Sequence, residues 1–441
     1  MTGRPRELPV LGPGEARSPS TLPPVARGPS RSADRRITAG GIAVACTFIL
    51  LGGLATLLPP DRRHGTWLPL HLVLAGGAGT AIAALMPFFT AALAAAPPAP
   101  PRLRVTAISL VAIGAFLVTA SYAGGHGLVA GAGASLYLLG LVAVAAAAWL
   151  PLRRGLGPRG GIVAVAYSVA ILDVLVGVAL ATAFVTGDRA VADAWGAVKP
   201  AHAWLNLLGF VALVVAGTLL HLLPTVLGTR IRRRRSATVT VVGLAVGAPL
   251  VAAGFLTGRT VIAQAGAIAA MVGALALVTY AISCLADRGR WTTDIPWHRF
   301  AMGSLLAGVA WFATGMLVAG GRILWMGVTP DAWLLAPIAG PLAVGWVAQT
   351  IIGSVTHLLP AVGPGDPVTH ATQRRLLGIA GVPRVVTLQL GTAMLTIGMA
   401  GASLVVTSAG MWLVLVVAGA DLALLAIAAV RPVRWWPTPI R

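Results

Sequence analysis

Long apolar runs dominate this sequence, and each is about 20 residues long or longer. A helix of about 20 apolar residues crosses the hydrocarbon core of a bilayer. Hydrophobic residues make up 57% of the chain and charged residues only 10%, so few other folds remain open to it. We predict an all-α polytopic membrane protein whose partner is the lipid bilayer. The predicted spans, 1 to 12, are 37–59, 68–95, 105–124, 128–151, 162–185, 203–227, 238–256, 261–285, 301–320, 336–361, 385–408 and 411–430.

The formal net charge of +20 permits two interpretations, nucleic-acid binding or membrane topology. With the N-terminus in the cytoplasm, all but six of the 32 basic residues fall on the cytoplasmic side. Such asymmetry is typical of topology determinants. We therefore expect a multi-pass protein of the cell membrane with both termini cytoplasmic, and no nucleic-acid partner. The six basic residues on the opposite side are Arg62, Arg63, Arg189, Lys199, Arg259 and Arg322.

The two ends of the chain differ in composition from the apolar part. Residues 1–36 are rich in Pro, Arg and Ser and lack apolar periodicity, which predicts a disordered cytoplasmic tail. Residues 37–430 form one predicted transmembrane domain, and 431–441 a short cytoplasmic tail. Cys46 and Cys284 have no C-x-x-C partner, so covalent c-type haem attachment is not expected.

A short sequence motif occurs three times. The segment Gly217–Pro224 returns as 353–360, and 80–87 is a degraded copy with Ala84 where the others have histidine. The prolines are 137 and 136 residues apart, which indicates repeats at about 37–152, 162–285 and 301–430. Four spans per repeat give every copy the same orientation in the membrane. We therefore predict three pseudo-threefold four-helix repeats, with spans 2, 6 and 10 equivalent.

The two intact copies each place a histidine three residues before the proline. His221 and His357 should therefore lie at matched depth near the inner ends of spans 6 and 10. Histidine in hydrocarbon is costly unless it is paired or ligates a metal. Each proline also frees the carbonyl group of Leu220 or Thr356, which can fix one imidazole nitrogen and leave the other to ligate. This pattern predicts a bis-histidine haem site, or part of a copper site, at His221 and His357.

Two further histidines belong to the outer half of the predicted bundle. Counted from their prolines, His71 and His202 differ by six residues, or about 9 Å along a straight helix. They can share a second cofactor only if the spans tilt. His202 and His221 lie 19 residues apart in span 6, about 28 Å, so no single cofactor touches both. The alternative for all four histidines is interhelical hydrogen bonding without a cofactor, as in a non-catalytic assembly subunit.

Two acidic residues fall inside predicted spans, Asp173 in span 5 and Asp421 in span 12. No Lys or Arg lies inside any predicted span, so a carboxyl there is either neutral, hydrogen-bonded or part of a proton relay. A relay through both acids and the histidines would suit a proton- or ion-coupled transporter or channel. That function is the second hypothesis.

Twelve spans in three four-helix repeats, with histidines on spans 2, 6 and 10, resemble the catalytic subunit of haem-copper oxidases and nitric oxide reductases. The stretch from His202 to Phe210 is similar to segments of small relatives of that group. His71, followed by a Gly/Ala-rich helix and Pro87, also resembles the NnrS-type proteins. The resemblance implies haem b, copper or both, an oxidoreductase or nitric-oxide-related function, and a cupredoxin-like electron donor.

The sequence departs from the oxidase pattern at several ligand positions. Span 6 has no His-Pro-Glu element, the region after span 7 has no His-His pair, and span 10 has one histidine instead of two. A complete terminal oxidase is therefore not expected. What the resemblance supports is a low-spin haem or a copper ion held by some of the four span histidines.

Overall fold

The structure is a computed structural model that describes residues 30–122, 125–155, 161–230, 234–288, 294–333, 336–362 and 367–430. Most of the predicted N-terminal tail and all of the predicted C-terminal tail lie outside these residues. The first helix begins at Ser30, inside the predicted tail of residues 1–36, and the disorder of the tail stays a prediction. Ser-Ala-Asp-Arg-Arg is polar but has no helix breaker, so the helix extends beyond its apolar part.

Twelve helices are long and apolar enough to cross a membrane, and the described residues contain no strand. The predicted all-α polytopic class is therefore confirmed. We call the side on which span 1 begins the inner side and the other the outer side. The spans are Asp34–Ala55, Trp67–Ala94, Pro101–Tyr122, Gly127–Arg154, Gly161–Val185, Trp195–Leu227, Arg235–Thr257, Thr260–Arg288, Pro296–Met326, Pro337–Ala361, Gly381–Ala400 and Leu404–Ala429.

Two predicted boundaries differ by eight residues. Span 6 begins at Trp195 and not at 203, because Lys199 and Pro200 lower the local hydropathy without ending the helix. Span 11 ends at Ala400 and not at 408, where Ala402 adopts a left-handed conformation with φ 53°. The residues of that turn are too small and apolar to stand out as a loop in the sequence. Outside the spans lie a short outer helix, Arg189–Asp193, and an inner helix, Pro367–Leu377.

Spans 2, 6 and 10 form the centre of the bundle. Within the most apolar window of each, 67%, 78% and 83% of residues are buried, against 28% to 56% in the other nine. Each of the three also contains a π-helical segment, at Leu72–Ala78, Leu205–Ala212 and Gly340–Ala348. π-Helical turns are rare and occur often at functional sites. These shared features are those expected of equivalent helices, although the threefold repeat itself stays a prediction.

The hairpins of spans 3–4, 7–8 and 11–12 pack outside this centre through close backbone contacts. A Cβ atom added at Gly254 would lie 2.4 Å from the backbone nitrogen of Ala263, and one at Gly398 would lie 2.5 Å from that of Thr407. Only glycine permits helices to approach so closely. The outer hairpins are therefore tight, and a cavity of about 320 Å³ lies between the hairpin of spans 3–4 and spans 2, 5, 6 and 10.

Candidate functional site

A cavity of about 320 Å³ opens in the outer half of the protein. It lies between spans 2, 3, 4, 5, 6 and 10, and its deep walls are formed mainly by Val, Leu, Ala and aromatic side chains. For scale, an engineered apolar cavity of about 150 Å³ accommodates benzene. This cavity therefore has room for a larger planar ligand. His71 of span 2 and His202 of span 6 both line it.

The rings of His71 and His202 face each other across a gap. Their centroids are 6.5 Å apart and their planes differ by only 10°. Nδ1 of His71 lies 2.8 Å from the Trp67 carbonyl oxygen, and Nδ1 of His202 lies 2.7 Å from that of Gly177. Because a carbonyl oxygen can only accept, we assign the N–H of each ring to Nδ1. Each neutral ring then keeps Nε2 free to ligate.

Neighbouring residues restrict both rings. The Trp67 ring stacks on His71 with centroids 4.3 Å apart. The Asn206 amide donates to the backbone carbonyl of His202 over 2.6 Å. Gly177 lies against that amide, since a Cβ at Gly177 would be 2.7 Å from Asn206 Nδ2. Trp67, Gly177 and Asn206 are positioning residues that were not predicted from the sequence. The four-residue spacings of Trp67 to His71 and of His202 to Asn206 are the signal that could have revealed two of them.

The expected difference in depth between His71 and His202 is not seen. The count from the prolines assumed straight, uniform α-helices, whereas both spans pass through a π-helical segment between histidine and proline. A π turn holds more residues than an α turn, and it changes the angular position of everything beyond it. Together with the packing angle of the spans, which the sequence does not give, this lets the two rings face one another.

The geometry can be compared with what a metal between two imidazoles requires. Metal–nitrogen bonds of about 2.0–2.1 Å would put the two ring centroids about 6.4 Å apart. The observed 6.5 Å matches that separation. A haem iron needs only two axial ligands from the protein, because the porphyrin supplies the other four. The separation of the two rings therefore matches that of two imidazoles on one haem iron. Among the residues that the structure describes, no three His, Cys, Asp or Glu side chains form a group that could hold a metal ion.

The inner histidines have different surroundings. The ring of His357 lies 5.9 Å from that of Trp297 and 6.2 Å from that of His298, and its Nδ1 is buried without a hydrogen-bond partner. The backbone carbonyl of His221 accepts the Thr225 hydroxyl over 2.8 Å. In the described part of the chain, no ring contact links His221 with His357. The shared inner site stays a prediction without supporting geometry.

His298 falls just before the predicted span 9, 301–320, but the structure places it inside the helix. It lies in span 9, and its side chain is only 16% exposed. Nδ1 is 2.6 Å from an Asp294 carboxylate oxygen and Nε2 is 2.6 Å from the Val226 carbonyl oxygen. Partial burial raises the pKa of Asp294, but hydrogen bonds from Arg288 and His298 outweigh it and hold this pKa below its ordinary value. The cluster joins the inner ends of spans 6, 8 and 9.

The intramembrane acids have different environments. Asp421 is 1% exposed and pairs with Arg384, which is 8% exposed and lies inside span 11. Arg104 is likewise buried in span 3 and pairs with Asp34. The expectation that no basic residue lies inside a span is therefore wrong, because both helices begin before their arginine. Asp173 is 7% exposed, its Oδ2 has no hydrogen-bond partner, and it packs against Gly209 of the span 6 π segment.

Comparison with known proteins supports the fold. No protein-family model matches the chain, and no curated protein is similar enough in sequence to count as a relative. Among solved structures, a haem-copper terminal oxidase dimer determined by cryo-electron microscopy matches with a TM-score of 0.64. The match covers 92% of this chain and 85% of the oxidase chain at 12% sequence identity. The chain therefore has the fold of that oxidase, and the likeness extends no further than the fold.

Proposed function

We propose that this membrane protein binds one haem b between His71 and His202 and has a redox function in the cell membrane. The observation that carries the proposal is the pair of parallel imidazole rings, 6.5 Å apart in an apolar cavity. The likeness of the fold to a haem-copper terminal oxidase supports it independently of the side chains. Both termini lie in the cytoplasm under this proposal, so the cavity belongs to the outer half of the bilayer.

The residues around the pair have defined tasks. The carbonyls of Trp67 and Gly177 fix the Nδ1–H tautomer and the ring orientation of His71 and His202. A hydrogen bond to the distal nitrogen also makes an imidazole a stronger ligand. The apolar walls exclude water and keep the surroundings of the site at low dielectric. When bound, a haem with two protein ligands supplies one-electron transfer.

This arrangement distinguishes among the redox functions that the resemblance implied. If His71 and His202 both held the haem, no ligand position would remain for oxygen or nitric oxide, and the group would supply electron transfer. The proposed protein therefore passes electrons and is not a complete terminal oxidase. A soluble one-electron donor on the outer side, such as a cupredoxin-like protein, is the partner that this site would need.

Optical spectroscopy of the purified protein, with metal analysis, tests the proposal. Wild-type protein should contain iron and show the spectrum of a low-spin bis-histidine haem, which His71→Ala and His202→Ala should each abolish. The matched controls are His221→Ala and His357→Ala, which should retain the spectrum. A folded, monodisperse preparation that carries copper or no metal would contradict haem binding. Loss of the spectrum only in the inner variants would move the site to His221 and His357.

A further inference from the structure

The mouth of the outer cavity carries a positive charge that has no ion-pair partner in the described part of the chain. Lys199 lines the cavity, and its side chain is exposed on the outer side at the start of span 6. It is also the only lysine in the chain, since the other 31 basic residues are arginine. Within the described ranges Lys199 forms no ion pair, and the described cavity lining includes no Asp or Glu. The ammonium group therefore lies at the cavity mouth without a counterion among the residues that the structure describes.

The cavity is thus apolar in its depth and cationic at one rim. Leu74, Val178 and Leu342 are among its deep walls, whereas Lys199 stands at the outer mouth with Thr66 and His64. An apolar interior favours a hydrophobic body, and a cation beside low-dielectric walls attracts an acidic group. A ligand that matches both parts is amphipathic, with its acidic end toward the outer surface.

We infer that the cavity takes a planar ligand bearing carboxylate groups, oriented with those groups at Lys199 on the outer side. The inference rests on the proposed function and deepens it, since haem b carries two carboxylates on one edge of its ring. Lys199 would fix which edge of the ring faces outward, while His71 and His202 hold the iron. Lys199 is thus a positioning residue for the ligand and does not touch the metal.

Porphyrin esters give a direct test. We would measure the affinity of the apoprotein for iron protoporphyrin and for its dimethyl ester, which lacks both charges. Esterification should weaken binding to wild type by about two- to five-fold, the range of an exposed ion pair. Esterification should leave the affinity of Lys199→Gln unchanged, whereas Lys199→Arg should show the same loss of affinity as wild type. The matched control is Arg189→Gln, a charge removal on the exposed outer helix Arg189–Asp193, which should keep the wild-type ester effect.

The single lysine provides a second measurement that does not depend on affinity. Acetylation of Lys199 by an amine-specific reagent, followed by mass spectrometry, should be slower with iron protoporphyrin bound than in the apoprotein. The dimethyl ester should protect it less. An equal ester effect in wild type and Lys199→Gln, or equal protection by both porphyrins, would overturn the inference while leaving the bis-histidine site intact. If neither porphyrin gave a bis-histidine spectrum, the proposed function would be overturned, and the inference with it.

Discussion

The outer and inner ends of the central spans both carry histidines, but the histidine rings in the two regions have different neighbours and hydrogen-bond partners. At the outer ends, His71 and His202 face each other with Nδ1 bonded to a carbonyl and Nε2 left over. At the inner ends, the ring neighbours of His357 are Trp297 and His298, and both nitrogens of His298 are already bonded. The number of histidines is therefore a poor guide to a cofactor site. What matters is whether ring nitrogens remain available beside a cavity.

Ion pairs concentrate at the inner side. Arg104 pairs with Asp34, Arg384 with Asp421, and Arg288 with Asp294, so acids and bases near the inner helix ends satisfy one another. Arg288 also donates to the Leu227 carbonyl oxygen over 2.9 Å. We interpret the inner region as the part that holds the spans together, and the outer region as the part that binds.

Breaking the inner ion pair in span 11 should have the largest effect on stability. Arg384→Met leaves Asp421 buried without its counterion, which typically costs about 3–5 kcal/mol. Thermal unfolding in detergent should show a large loss of stability. The spectrum of the proposed haem should be unchanged in the fraction that stays folded, because its proposed ligands His71 and His202 are untouched.

The matched control for Arg384→Met removes both charges. Arg384→Met combined with Asp421→Leu leaves no unpaired charge, so most of the lost stability should return. A double variant as unstable as the single one would mean that Arg384 acts mainly through other contacts. Its hydrogen bond to the Leu377 carbonyl oxygen and its position over the Phe300 ring, 4.1 Å from the centroid, are the candidates.

At the outer site, Asn206→Leu should have an intermediate effect. The variant loses the hydrogen bond from the amide to the His202 carbonyl but keeps a similar volume. Loss of such a supporting contact lowers affinity for a bound metal group about tenfold or more, so haem titration should show that decrease. Gln389→Leu is the control. The Gln389 amide oxygen accepts a hydrogen bond of 2.7 Å from Trp311 Nε1, and neither residue lines the cavity. Loss of this bond should leave haem affinity unchanged. Equal losses in both variants would mean that general loosening of the bundle causes the effect.

The sequence predicted the helices much better than it predicted the site. Apolar length identified all twelve spans because the bilayer imposes that length on each helix. The facing of His71 and His202 could not be predicted, since it depends on π-helical turns and packing angles that hydropathy does not encode. The partner of Asp421 was missed for a related reason. Arg384 lies 37 residues earlier, and a count along the chain does not reveal which faces of spans 11 and 12 meet.

The smallest effect is expected at the inner cluster, where Asp294→Asn should reduce stability by about 1 kcal/mol. The pKa of Asp294 lies below its ordinary value, so the ionised carboxylate stabilises the folded protein above the ordinary pKa of a carboxyl group. That contribution is lost as the pH falls through the lowered pKa. Unfolding midpoints should therefore differ most between wild type and Asp294→Asn near neutral pH and converge on acidification.

A difference between wild type and Asp294→Asn that stayed constant with pH would assign the effect to packing instead of charge. The spectrum of the proposed haem gives a second readout that compares the two regions. If the inner cluster only joins helix ends, Asp294→Asn should shift the unfolding curve and leave the spectrum as it is. A changed spectrum would show that the cluster around His298 reaches the outer site through span 6, whose inner end it holds at the Val226 carbonyl. The inner cluster and the outer site would then be coupled through span 6.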